Sequence, residues 1–161
     1  MAHVDDLEQL LVATHALTRV AALETGNAAP SAQWRTIAIL REHGPLRVGE
    51  LATLGRVTQP SMTRLVGIMD DAGLVERTTD DADSRATVVY ATQHGVDAYL
   101  AWRAQLTEAL LPRFADLDDA DWEALRTTAH ILSARIGSAA ASANTAANAA
   151  ATATTAVAAA R

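Results

Sequence analysis

Cysteine is absent from the 161 residues, which excludes disulfides, thiolate metal sites and cysteine redox sensing. Lysine is absent as well, so all 13 basic residues are arginine. Glycine and proline are scarce, with 8 and 4 copies, while alanine and leucine abound, a mixture that favours helix over strand. No run reaches about 18 uninterrupted apolar residues, so no membrane span is expected. The first ten residues carry Asp5, Asp6 and Glu8 and no basic side chain but His3. They do not read as a signal peptide, and a cytoplasmic location is expected. There is no Gly-rich phosphate loop, nucleophile elbow or paired-carboxylate site, so neither enzymatic activity nor a cofactor is expected. The 5 histidines are dispersed, with no HxxxH or HExxH pair, so no metal site is assigned.

A surplus of positive charge is also lacking. The formal net charge is −6, which counts against a simple nucleic-acid binder. Local distribution matters more than the total. Arginine makes the better fork for phosphates and guanine edges, although codon bias in a GC-rich genome is the plainer reason for its exclusive use.

Half of the chain is hydrophobic, enough for one compact domain with a core. Residues 4–24 read as a first helix, with Val4, Leu7, Leu11, Thr14 and Ala21 on one stripe widened by Leu10 and Leu17. Gly26 or Asn27 suits its C-terminal cap. Pro30 and Ser31 open a second helix, whose apolar face is Trp34, Ile37, Ala38 and Leu40. Leu46, Arg47 and Val48 form a short extended piece. About two turns of helix follow to Leu54, then a turn at Gly55, Arg56 and Val57. A fourth helix starts near Thr58 and runs to about Ala72. Thr58 can cap it, and Pro60 sits in the first turn, where a missing N–H costs nothing. Its buried stripe is Met62, Leu65, Val66 and Met69.

The period then switches to two. Residues 74–78 and 86–91 read as strands joined by a polar, turn-rich loop over 79–85. Thr92 begins a long helix to about Phe114, which Pro112 bends or breaks near its end. Acids over 116–121 cap a last helix, in which Trp122, Leu125, Ala129, Leu132 and Ile136 make a heptad seam. From Gly137 the chain is nearly all small residues, read as a frayed or disordered low-complexity tail. The expected fold class is mainly α with a small β-hairpin wing: a winged helix-turn-helix lobe plus N- and C-terminal dimerisation helices. The expected divisions are 1–30 for the N-terminal dimerisation helix, 31–95 for the lobe, 96–136 for the C-terminal dimerisation helices and 137–161 for the tail.

This order of elements suits duplex reading. The fourth helix can enter the major groove with its N-terminal residues on base edges. Opposite its buried stripe lie Pro60, Thr63, Arg64, Gly67 and Asp71, with Arg64 pointing most directly outward. Arg64 is the candidate for a guanine or phosphate contact. Thr58, Gln59, Ser61 and Thr63 are small polar groups at the entering end. An ordinary solvated helix face would read the same way. In the loop, Asp83 stands two residues before Arg85. An arginine there can reach the minor groove, held by the aspartate through a bidentate pair. The plainer reading is a surface ion pair worth about 0–1 kcal/mol.

The run Asp83-Ser84-Arg85-Ala86-Thr87-Val88-Val89-Tyr90-Ala91-Thr92 resembles the wing signature of the MarR family: an acid, any residue, an arginine, a strand, and a threonine nine positions after the acid. Val57 to Val66, then Asp71 to Arg77, resemble the same family's recognition helix and its exit into the wing. The similarity follows element order over 4–136 and is close in sequence from about 46 to 95. It implies that Arg64 and its polar neighbours read the major groove, Arg85 enters the minor groove and Asp83 orients it. Arg77 matches a basic family position, as a phosphate contact or a structural partner. The departure is charge: from Ser31 to Thr92, seven arginines face eight acids.

Both ends carry amphipathic helices with little to cover them, so a two-fold homodimer on a pseudo-palindromic operator is expected. A monomer whose terminal helices cover each other is the alternative. The resemblance implies a repressor released by a small, often aromatic, acidic ligand. His15, Arg19 and Trp34 are candidates for its pocket, against a core role for Trp34 and a structural or solvent role for His15. The expected partners are therefore double-stranded DNA, a second copy and a small organic effector. A winged-helix interaction module without DNA binding and a metal-responsive regulator are the other readings.

Overall fold

A computed structural model of the chain describes residues 2–26, 31–80, 83 and 85–136. Asn27, Pro30, the loop residues Asp81, Ala82 and Ser84, and the 137–161 tail lie outside the described residues. The chain divides into two units, one up to Arg113 and one from Phe114. In the first, helix α1 (Ala2–Thr25) is followed by α2 (Ser31–His43), strand β1 (Leu46–Arg47), α3 (Val48–Gly55), α4 (Gln59–Asp71), strands β2 (Val75–Thr79) and β3 (Thr87–Ala91), and α5 (Gln93–Leu110). A 3₁₀ turn, Leu111–Phe114, carries Pro112 just beyond α5, where the missing N–H and fixed φ end the regular helix. In the second unit, 119–136 is helical. Asp118 caps it by accepting from the Asp121 N–H at 2.9 Å. Among the described residues no helix is long and apolar enough to cross a membrane.

The lobe is built around one core. Ile37 and Leu40 from α2, Leu46 from β1, Leu51 and Ala52 from α3, Met62, Val66 and Met69 from α4, and Leu74, Val75 and Val89 around the sheet form its buried cluster. Ile37, Leu51, Met69 and Val89 lose all solvent exposure, and burying each such side chain is worth roughly 1.5–3 kcal/mol. The expected α4 stripe is present, with Leu65 half-buried at its edge. Gly26, with φ +57, follows α1 as a left-handed cap should.

The expected hairpin is part of a three-stranded antiparallel sheet of order β1-β3-β2. The extended piece before α3 is a strand in its own right. Leu46 pairs with Val89 and Arg47 with Val88, while β2 runs in register with β3 from Val75 opposite Ala91 to Thr79 opposite Thr87. Strand β3 is therefore central. Along β2 only Val75 is buried and the next four residues are exposed, while on β3 Val89 is buried and Thr87 and Val88 are half-buried.

The threonine after β3 does two things at once. Thr92 Oγ1 accepts from the Gly95 N–H at 2.9 Å, capping α5, and donates to the Gly73 carbonyl at 2.6 Å. The Thr92 N–H also reaches the Leu74 carbonyl at 3.2 Å. Gly95 is buried in this joint.

Candidate nucleic-acid interface

Helix α4 is set up to present its N-terminal end. Thr58 is its N-cap in an extended conformation, accepting from the Ser61 N–H, and proline stands in its first turn. The Thr58 hydroxyl also donates to Ser61 Oγ at 2.8 Å, so these two candidates hold each other and shape the helix start. Thr63 donates back to the Gln59 carbonyl at 2.9 Å, which leaves its oxygen available as an acceptor. Gln59, Ser61, Thr63 and Arg64 are all exposed, opposite buried Met62, Val66 and Met69. Hence the face that can meet a duplex is polar because the other face is committed to the core.

The turn before α4 is tight. Arg56 has φ +54, a left-handed conformation rare outside glycine. Its N–H closes α3 on the Ala52 and Thr53 carbonyls.

Four sequence candidates converge on one recess. Gln59 and Thr63 of α4, Asp83 and Arg85 of the wing, and Arg47 and Glu50 at the start of α3 line a concavity of about 560 Å³. Recognition helix and wing thus share one open face, as a reader of adjacent grooves requires. The expected bidentate pair is not formed; Asp83 meets Arg85 at the backbone, where its Oδ1 accepts the Arg85 N–H at 3.0 Å. Among the described residues no ion pair engages the Arg85 guanidinium.

Arg77 is paired with Asp70. Its Nε and one terminal nitrogen both donate to Asp70 Oδ2 at 2.8 Å, tying β2 to the end of α4. This pair lines a second, smaller recess of about 290 Å³ with Thr78, Thr79 and Thr87. Arg64 lines neither and stands outward from α4.

Arg47 was missed by the sequence reading. It occupies the N-cap position of α3, and its N–H donates to Glu50 Oε2 at 2.8 Å. Its Nε donates to Asp80 Oδ2 at 2.7 Å. That hydrogen bond, with the charge of Asp80, holds its pKa above the usual arginine value. The only local signal was the alternation of buried Leu46 with exposed Arg47; its partner lies 33 residues away.

The effector candidates do not meet. His15 and Arg19 are exposed on α1. Trp34 is buried, 7% exposed, and stacks on Trp102 of α5 with ring centroids 5.4 Å apart. Tyr99 joins Trp102 at 5.9 Å, and the Arg41 and Arg103 guanidiniums lie 5.4 and 5.7 Å from the Tyr99 ring. The Trp34 indole N–H is buried with no hydrogen-bond partner among the described residues.

A helix-turn-helix whose second helix shares a polar face with an arginine-bearing hairpin defines the winged-helix class of DNA-binding proteins. Comparison with known proteins narrows the class. The MarR family model matches residues 30–87. An HTH-type transcriptional regulator of Mycobacterium bovis, Mb0904, is 31% identical over 104 residues, 65% of this chain and 73% of that one. FarR, an HTH-type transcriptional regulator of Neisseria gonorrhoeae, is 34% identical over 67 residues, 42% of this chain and 46% of that one. Among solved structures, RV1404 of Mycobacterium tuberculosis superposes with a TM-score of 0.67 at 21% identity, covering 85% of this chain and 95% of that one. A MarR family protein of Bacillus stearothermophilus gives 0.65 at 22%, covering 84% and 96%. The chain belongs to the MarR family of DNA-binding transcriptional regulators.

Proposed function

We propose that the protein is a homodimeric repressor of a pseudo-palindromic operator, released by a small organic acid. The observation that carries the DNA-reading part is the shared recess, with Gln59 and Thr63 on one side and Asp83 and Arg85 on the other. In this reading Arg64 contacts a guanine edge or a phosphate in the major groove. Arg85 enters the neighbouring minor groove, where the negative potential attracts it. Gln59, Ser61 and Thr63 complete the register on bases and backbone, with Thr58 fixing the helix start. Arg77 supports the wing from behind.

The dimer part is supported by α1, whose Val4, Leu7, Leu11 and Leu23 are each more than 60% exposed. Contiguous apolar exposure of this kind marks an interaction surface. The effector part is supported by the unpartnered indole N–H of Trp34, since buried donors normally find an acceptor. A carboxylate or phenolic oxygen would supply one. His15 and Arg19, exposed on α1, remain candidates for a contact with the same ligand.

The test is binding to the intergenic DNA upstream of the gene, measured across salt. Arg64→Ala is expected to weaken binding by roughly 1–3 kcal/mol, and Arg85→Ala to weaken it and flatten the salt dependence. If both variants bind that DNA like the parent, the DNA-reading assignment fails. Titration of phenolic acids against the parent and Trp34→Phe tests the effector; DNA release that survives the substitution removes Trp34 from the pocket.

A further inference from the structure

Strand β2 is exposed beyond Val75, yet Arg85 must be delivered to a fixed place beside α4. A chain of contacts starting at Arg47 reaches that place. The Arg47 backbone is fixed twice, by its N–H on Glu50 and by strand pairing with Val88. Its Nε holds Asp80 Oδ2 at 2.7 Å. The Asp80 side chain is only 15% exposed, and its Oδ1 accepts from the Asp83 N–H at 3.3 Å. The Asp80 N–H donates to the Ala86 carbonyl at 2.9 Å, and the Ala86 N–H to the Asp83 carbonyl at 2.8 Å. Asp83 in turn accepts the Arg85 N–H.

From this chain of contacts, and resting on the proposed DNA-reading role of Arg85, we infer that Arg47 is a positioning residue of the wing. It braces Asp80, and through Asp80 and Asp83 it sets where Arg85 stands relative to α3 and α4. An isolated surface ion pair is worth little because two mobile side chains must be ordered. Here the arginine springs from a doubly anchored backbone and the aspartate is largely covered, so most of that ordering is already supplied by the fold. The consequence is placement of the wing. Arg47 spends its charge on Asp80, so it does not act as a phosphate contact.

A double-mutant cycle on the full chain tests this. Arg47→Gln and Asp80→Asn are each expected to weaken operator binding by about 3- to 10-fold with an unchanged salt slope, because no phosphate contact is lost. In an Arg85→Ala background, Arg47→Gln is expected to add nothing, because its effect runs through Arg85. The exchange Arg47→Asp with Asp80→Arg should recover part of the loss. Without DNA, the Asp83 and Arg85 amides should exchange faster in Arg47→Gln than in the parent. An equal loss in the Arg85→Ala background, or a salt slope lower by about one, would make Arg47 a phosphate contact and overturn the inference. Unchanged amide exchange would overturn it too. A parent-like Arg85→Ala single variant would sink the wing's DNA role itself, and the bracing role with it.

Discussion

At the scale of single residues, two glycines make opposite demands. A Cβ on Gly95 would lie 2.0 Å from the Leu74 carbonyl oxygen, a backbone atom, and the Cβ itself is fixed to the backbone of α5, so neither can yield alone. Alanine there must push α5 off the loop that follows α4. Gly67, inside α4, would meet nothing within 4 Å. The same substitution should therefore change sign between the two sites. Gly95→Ala is expected to destabilise by about 1–3 kcal/mol, the usual cost of forced overpacking. Gly67→Ala should stabilise by roughly 0.5–1 kcal/mol through reduced chain entropy. Thermal unfolding followed by circular dichroism reads both; equal melting temperatures for the pair would contradict the account.

At the scale of elements, the caps were legible and the pairings were not. Thr58 was readable as the start of α4 because a cap needs only its own hydroxyl and the N–H three residues on. Thr58→Ala should cost about 1 kcal/mol, seen as a lower urea midpoint with an unchanged m-value. A midpoint equal to the parent's would mean that Ser61 and Pro60 suffice to start the helix. The α4 stripe was legible for a similar reason, since a period of 3.6 is written in adjacent residues. Strand β1 was seen only as an extended piece, because two residues carry no period and their partners Val88 and Val89 are some forty positions away. The site divides along the same line. Gln59, Thr63, Asp83 and Arg85 follow from local order. The Arg47 contact with Asp80 and the stacking of Trp34 on Trp102 depend on tertiary neighbours that no window contains.

At the scale of the whole molecule, the apolar stripe of α1 and the net charge of −6 set the remaining expectations. Helix α1 packs on α5 and buries Ala21 almost completely, while Leu7 and Leu11 on another face are 64% and 70% exposed. If that face meets a second copy, analytical ultracentrifugation should find a dimer, and Leu7→Glu with Leu11→Glu should shift it to monomer. A double variant that sediments like the parent would move the dimer interface elsewhere. In the second unit, Trp122, Leu125, Ile131 and Ile136 are likewise exposed along 119–136.

The joint at Thr92 has a mechanical meaning. One side chain grips the Gly73 carbonyl and the first turn of α5, and the Leu74 N–H is already bonded to the Met69 carbonyl at the end of α4. These bonds hold the start of α5 against the loop that leaves α4, although the whole hairpin lies between the two helices in sequence. A crank pinned to its shaft turns with it: a rotation of α5 is expected to pull, through Thr92, on the loop that leaves α4. If Arg64 contacts DNA as proposed, a change imposed on α5 would reach that contact through this joint rather than through the wing.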